Sequence, residues 1–100
     1  MKKFLVLLLT LALVLTSLSV LAETTYLGIT TGGTAGTYYP LGGEIAALWM
    51  KHIPGLDVSV QSSGGSKDNI LKMNNKEADL GTVQNDVMYY AYQGDQDFFA

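Results

Sequence analysis

The sequence predicts an α/β fold built on a mostly parallel sheet. Short β-prone runs alternate with segments of helical periodicity. The alternation β-α-β-α-β-α runs through most of the chain, which in one sheet implies parallel strands joined by crossovers. Each β-prone run also opens into a loop rich in glycine or hydrogen-bonding side chains. Tyr26 to Leu41, YLGITTGGTAGTYYPL, sets the pattern: an apolar run, a turn with Gly32, Gly33 and Gly36, then the start of a helix. That order places backbone N–H groups at the mouth of a helix, where an anion can be met.

The first 22 residues stand apart from the alternation. Lys2 and Lys3 give a positive start, and Phe4 to Leu15 is almost wholly apolar. Val20-Leu21-Ala22 then places small residues where a signal peptidase would cut, before Glu23. The apolar block is shorter than the roughly 20 residues that span a bilayer. The expectation is therefore a signal peptide over residues 1–22, cleaved near Ala22, and an exported, periplasmic or extracytoplasmic protein. The sequence has no cysteine, which excludes disulfides and a lipid-modified N-terminal cysteine.

After Ala22 the chain carries four lysines, no arginine and nine acidic residues, a balance of −5. Such a chain lacks the cations that displace counterions from phosphates, so nucleic acid is not an expected partner. The 78 residues that follow Ala22 are few for an α/β unit, since domains of this size bury only about 60% of their unfolded surface. Phe98-Phe99 reads as the opening of a further element.

Taken in order, Tyr26 to Thr30 predicts the first strand. Leu41, Ile45, Leu48 and Trp49 then recur at helical spacing, with His52 on the same face, and predict a helix over Pro40 to His52 whose apolar stripe faces the core. Pro54-Gly55 stops it. Val58 and Val60 alternate with Ser59 in a second strand, Leu56 to Gln61. Ser66 is placed to cap a short helix with Asp68 in its first turn and Ile70, Leu71 and Met73 on its apolar side. Asp79 to Val83 predicts a third strand. Asn85 is placed to cap a last helix carrying Val87, Tyr90 and Ala91 on one side, with Gly94 as its stop.

In parallel α/β sheets ligands bind beyond the carboxyl ends of the strands. Thr31 to Tyr39, Ser62 to Ser66 and Gln84 to Asp86 are the loops expected there. Their glycines let a ligand approach the backbone, and Thr34, Thr37, Ser63, Ser66 and Gln84 add uncharged hydrogen-bonding groups. This chemistry suits a small carboxylate or amino acid. Tyr38 is the candidate pocket wall, whereas Trp49 shares the apolar stripe of its helix and reads as core.

Catalytic patterns are absent from the sequence. G-x-G-x-x-G would need glycine at Thr31, and a Walker A loop would need lysine at Thr34. No G-x-S-x-G occurs, so a secreted hydrolase has no visible nucleophile. One histidine and no cysteine argue against a transition-metal site. Neither an enzyme nor a cofactor is expected.

Thr30 to Ala46 (TTGGTAGTYYPLGGEIA), Val60 to Ile70 (VQSSGGSKDNI) and Glu77 to Gly94 (EADLGTVQNDVMYYAYQG) together resemble the N-terminal part of the TAXI family. These are the extracytoplasmic solute-binding subunits of tripartite ATP-independent periplasmic (TRAP) transporters. The resemblance implies a type II periplasmic-binding-protein-like fold of two lobes, with residues 23–100 as the N-terminal part of lobe 1. It implies capture of a small carboxylate or amino acid such as glutamate, and delivery to a TRAP membrane permease driven by an ion gradient. By position, the family's ligand-facing loops fall on Thr34, Ala35, Gly36, Thr37 and Tyr38, on Ser63, Gly64, Gly65 and Ser66, and on Gln84 and Asp86. Ala35 stands where many relatives carry a further glycine. Family members are several times longer, so the resemblance also implies that this chain is a fragment lacking the second lobe and binds ligand weakly or not at all alone. The alternatives are a truncated, non-functional product of the same ancestry and the solute-binding component of an ATP-driven importer.

Overall fold

The computed structural model describes residues 1–17 and 23–100, so the expected cleavage site at Val20-Leu21-Ala22 lies outside the described residues. Helix α1 spans Lys2–Ser17, and the apolar side chains of Phe4, Leu8 and Leu11 on it are exposed. Among the described residues, no helix is long and apolar enough to cross a membrane.

Strand β1 (Thr25–Thr30) leads through the glycine turn to helix α2 (Tyr38–His52), and β2 (Leu56–Gln61) leads to α3 (Ser66–Asn74). A short β3 (Leu80–Gly81) is followed by α4 (Asn85–Gln93) and the single turn α5 (Gln96–Phe99). The three strands form one all-parallel sheet in the order β2-β1-β3. The α/β class and the parallel sheet are as expected, and the order places β1 at the centre, with its carboxyl end between the other two.

Side chains alternate across β1, and the two faces meet different helices. Leu27 and Ile29 face α2 in a core of Ile29, Ala46 and Val58, against which Trp49, Leu56 and Val60 also pack. Thr30 points the other way, where its hydroxyl meets Asn69 of α3. The sheet is thus covered from both sides near its carboxyl edge. Helix α2 can lie close because Gly42 faces the sheet: a Cβ there would stand 2.5 Å from Thr31 Cγ2 and 3.3 Å from Val60 Cγ1.

Four expectations need correction. Helix α2 buries Gly42 and Ala46, with Trp49 against the core, whereas Leu41 and Leu48 are exposed. The sheet selects the face with the smallest side chains because backbone proximity, and not bulk, limits this packing. Ser66 is not a cap: Gly65 occupies that position, and Ser66 begins α3. Likewise Gln84 is the residue before α4, and Asn85 is its first helical residue. Finally, β3 covers Leu80–Gly81 and not Asp79 to Val83. Its neighbours still donate to β1, Asp79 N–H to the Gly28 carbonyl at 3.0 Å and Thr82 N–H to the Thr30 carbonyl at 3.1 Å. Side chains take the return bonds: the Asp79 carboxylate accepts the Gly28 N–H at 2.7 Å, and the Thr82 carbonyl accepts from Asn69 at 2.7 Å.

The stops fall where the residues require. Gly94 ends α4 in the left-handed conformation. Lys51 and His52 lie in the last turn of α2, the favourable end of its dipole for positive charge. Phe98, in α5, stacks on Tyr90 with ring centroids 4.6 Å apart, which gives Tyr90 a partner on the α4 surface.

Candidate functional site

The loop after β1 is organised by its own backbone. The Gly36 N–H donates to the Gly33 carbonyl at 2.8 Å, closing a turn with Thr34 and Ala35 at its exposed tip. Helix α2 follows directly. Thr37, the residue before it, makes no side-chain capping bond, so the Tyr38 and Tyr39 amides have neither intrahelical partners nor a cap from that hydroxyl; Pro40 carries no N–H, and the Leu41 N–H bonds the Thr37 carbonyl.

The loop after β2 is built by the same logic with different parts. Gly65 precedes α3 at φ 105° and ψ −160°, a conformation that is essentially glycine-only. It has no side chain with which to cap. The Ser63 hydroxyl accepts from the Gly65 N–H at 3.1 Å, and the Ser63 N–H donates to the Gly32 carbonyl at 3.0 Å, tying the two loops together. The Asp68 carboxylate accepts the Gly64 N–H at 2.9 Å and lies 3.5 Å from the Lys72 ammonium. The Gly64 N–H, with Lys72 adding to it, holds the Asp68 carboxyl below its ordinary value.

Between the two loops lies a hollow of about 570 Å³, lined by Gly32, Gly33, Gly36, Thr37, Tyr38, Ser63, Gly64 and Gly65. None of these eight residues carries a charged side chain. Five are glycines, so the wall is largely backbone, with hydroxyls of Thr37, Tyr38 and Ser63 at its edge. Two helix N-termini open on it. The Gly36, Ser63, Gly64 and Gly65 N–H groups already donate within the loops, so a small anion would be met by the amides at the start of α2 and by dipole attraction, without a cationic side chain.

Of the residues expected to face a ligand, the structure brings together Gly36, Thr37, Tyr38, Ser63, Gly64 and Gly65. Thr34 and Ala35 stand on the turn tip outside the lining, and Ser66 is buried behind it. The third loop lies behind the second. Gln84 donates its backbone N–H to the Ser66 hydroxyl at 2.9 Å, and Asp86 accepts the Val87 N–H in the first turn of α4. Neither Gln84 nor Asp86 lines the hollow. Gly32 and Gly33, in the loop but outside the positions implied by the resemblance, do line it.

Sequence reasoning passed over the polar cluster beneath the hollow. Thr30, Thr31 and Asn69 are fully buried. The Thr30 hydroxyl donates to Asn69 Oδ1 at 2.7 Å, and Asn69 Nδ2 donates to the carbonyls of Thr31 at 2.6 Å and Thr82 at 2.7 Å. The Thr31 hydroxyl donates to the Gln61 carbonyl at 2.7 Å. One signal was available: Ser66, Asn69 and Met73 share a face at helical spacing, and two of the three are polar.

A parallel sheet whose carboxyl edge gathers two glycine-rich turns around one uncharged hollow belongs to the solute-binding class. Residues 29–100 match the model of the NMT1-like family, and the chain belongs to that family. It is a periplasmic-binding-protein-like family of solute-binding proteins and not a family of enzymes. The fold corresponds to part of such a lobe, and the family implies a small-molecule ligand.

Proposed function

We propose that this chain is the extracytoplasmic receptor of a TRAP transporter of the TAXI type, capturing a small carboxylate or amino acid such as glutamate. Residues 1–22 are its signal peptide, and residues 23–100 are the N-terminal part of its first lobe. The captured solute passes to a membrane permease that an ion gradient drives. The observation that carries this reading is the hollow between the first two loops, onto which the start of α2, without a side-chain cap, and the start of α3, whose Gly64 and Gly65 amides are held by Asp68 and Ser63, both open. A carboxylate satisfies the amides at the start of α2, and a lysine or arginine is not needed for it. The three TAXI-like motifs support the transporter type, since the first two supply every residue that lines the hollow. The apolar, exposed α1 supports export, because a segment that is removed has no need of packing partners.

A thermal-shift screen of the protein against L-glutamate, L-glutamine and C4–C5 dicarboxylates tests the ligand class. Saturation at about 100 times Kd stabilises a fold by about 2.7 kcal/mol. A shift with at least one of these compounds, and none with neutral sugars, is expected; sugars acting alone would overturn the class. Mass spectrometry of the protein recovered outside the cytoplasm tests export, with an N-terminus at Glu23 as the expected result. Co-purification with TRAP membrane subunits supports the transporter type, and recovery with an ATPase-driven permease would replace it.

A further inference from the structure

We propose that Asn69 is a positioning residue that holds the loops around the hollow in mutual register, so that ligand affinity depends on a side chain that does not line it. The inference rests on the binding role proposed above. Asn69 has no solvent exposure, and its amide is used on both sides. Oδ1 accepts from the Thr30 hydroxyl, while Nδ2 donates to the Thr31 and Thr82 carbonyls. The Thr82 hydroxyl closes the cluster by donating to the Thr31 carbonyl at 3.0 Å.

The partners stand at the roots of two different loops. Thr31 immediately precedes Gly32 and Gly33. Thr82 comes two residues before Gln84. Asn69 donates its own backbone N–H to the Gly65 carbonyl at 2.9 Å, one turn into α3. A single side chain therefore links the segment that launches α2, the start of α3 and the chain that enters α4. The two helix N-termini that open on the hollow are set apart by this link and by the Ser63-to-Gly32 bond.

The chemistry fits an amide alone among side chains of this size. The site offers one hydroxyl donor and two carbonyl acceptors, and asparagine returns one acceptor and two N–H donors. Aspartate would set carboxylate oxygens against two carbonyls. Leucine would leave the Thr30 hydroxyl and the Thr82 carbonyl without these bonds, and the Thr31 carbonyl with the Thr82 hydroxyl alone.

The test compares the protein with Asn69→Asp and Thr30→Val, using amide-resolved hydrogen exchange and NMR titration with L-glutamate. Thr30→Val keeps the shape of β1 and removes only the hydroxyl that orients Asn69. In Asn69→Asp, exchange at Ser63, Thr82 and Gln84 should accelerate at least about tenfold, with the β1 amides of Leu27 and Ile29, which face β2, within about twofold of wild type. The glutamate Kd should rise by about tenfold or more. Uniform acceleration would mark Asn69 as a general stability element and overturn the proposal, as would unchanged exchange. If Asn69→Asp does not fold, Thr30→Val decides: the same selective pattern at smaller amplitude supports the proposal, and a uniform or null response overturns it. Should wild type show no glutamate-dependent shift, the glutamate reading fails, while the exchange pattern still decides the role of Asn69.

Discussion

The Ser66 hydroxyl accepts a hydrogen bond from the Gln84 backbone N–H at 2.9 Å. It joins the start of α3 to the residue before α4, and it explains why a serine at the first position of a helix is nearly buried. Ser66→Ala removes the acceptor and leaves a partly buried N–H without a partner. Stability should fall by about 1–2 kcal/mol, read from the urea midpoint with an unchanged slope. A midpoint equal to that of wild type would show that water replaces the hydroxyl.

Gly42→Ala should destabilise the fold by about 1–3 kcal/mol through overpacking. The added methyl would meet Thr31 Cγ2 at 2.5 Å, too close for either group to remain in place. Because Thr31 lies at the root of the first loop, amide shifts of Gly32 and Gly33 should move as well. Gly43→Ala is the control, since nothing lies within 4 Å of its added methyl and the residue is in the same helix.

Gly65→Ala separates backbone strain from crowding. No atom lies within 4 Å of the added methyl, yet φ is 105°. The expected loss is about 1–3 kcal/mol, arising from the backbone alone. Calorimetric unfolding of this variant beside Gly33→Ala, where φ is not in the left-handed region and space is also free, checks it. Equal stability of the two variants would contradict the assignment.

Asp68 makes the fold sensitive to acid. Its native carboxyl is held below the ordinary value of 3.8, first by the Gly64 N–H and then by Lys72. A group lowered in the native state contributes stability that is fully present above its unfolded value and is lost as pH falls through the native one. Asp68→Asn should therefore lose stability at neutral pH and show a shallower decline below about pH 4 than wild type. Parallel denaturation curves across that range would show that the carboxylate adds nothing to the fold.

The ladder of elements was legible because periodicity and turn residues report directly on backbone conformation. Val58 and Val60 against Ser59 marked β2, and Gly94 marked the end of α4. The inner face of α2 was not legible in the same way. Leu41, Ile45 and Leu48 form the more apolar stripe, but the sheet accepts the Gly42 and Ala46 face because helix and strand backbones lie so close. Capping was misread for a related reason. A serine or asparagine near a helix start has several possible partners, and only the tertiary arrangement gives the Ser66 hydroxyl to Gln84. Of the candidate site, the first two loops were readable from their glycines. The Asn69 cluster was not, since its one local sign, the face shared with Ser66 and Met73, is two-thirds polar and does not separate a buried face from a solvated one.

The most direct test of the account is an amide-resolved NMR titration of the protein with L-glutamate up to millimolar concentration. The account predicts saturable shifts at Gly32, Gly33, Gly36, Thr37, Gly64 and Gly65, with the β2 residues Asp57 and Ser59 unmoved. Shifts centred on Asp57 and Ser59, or none at the glycine turns with any small carboxylate, would contradict it.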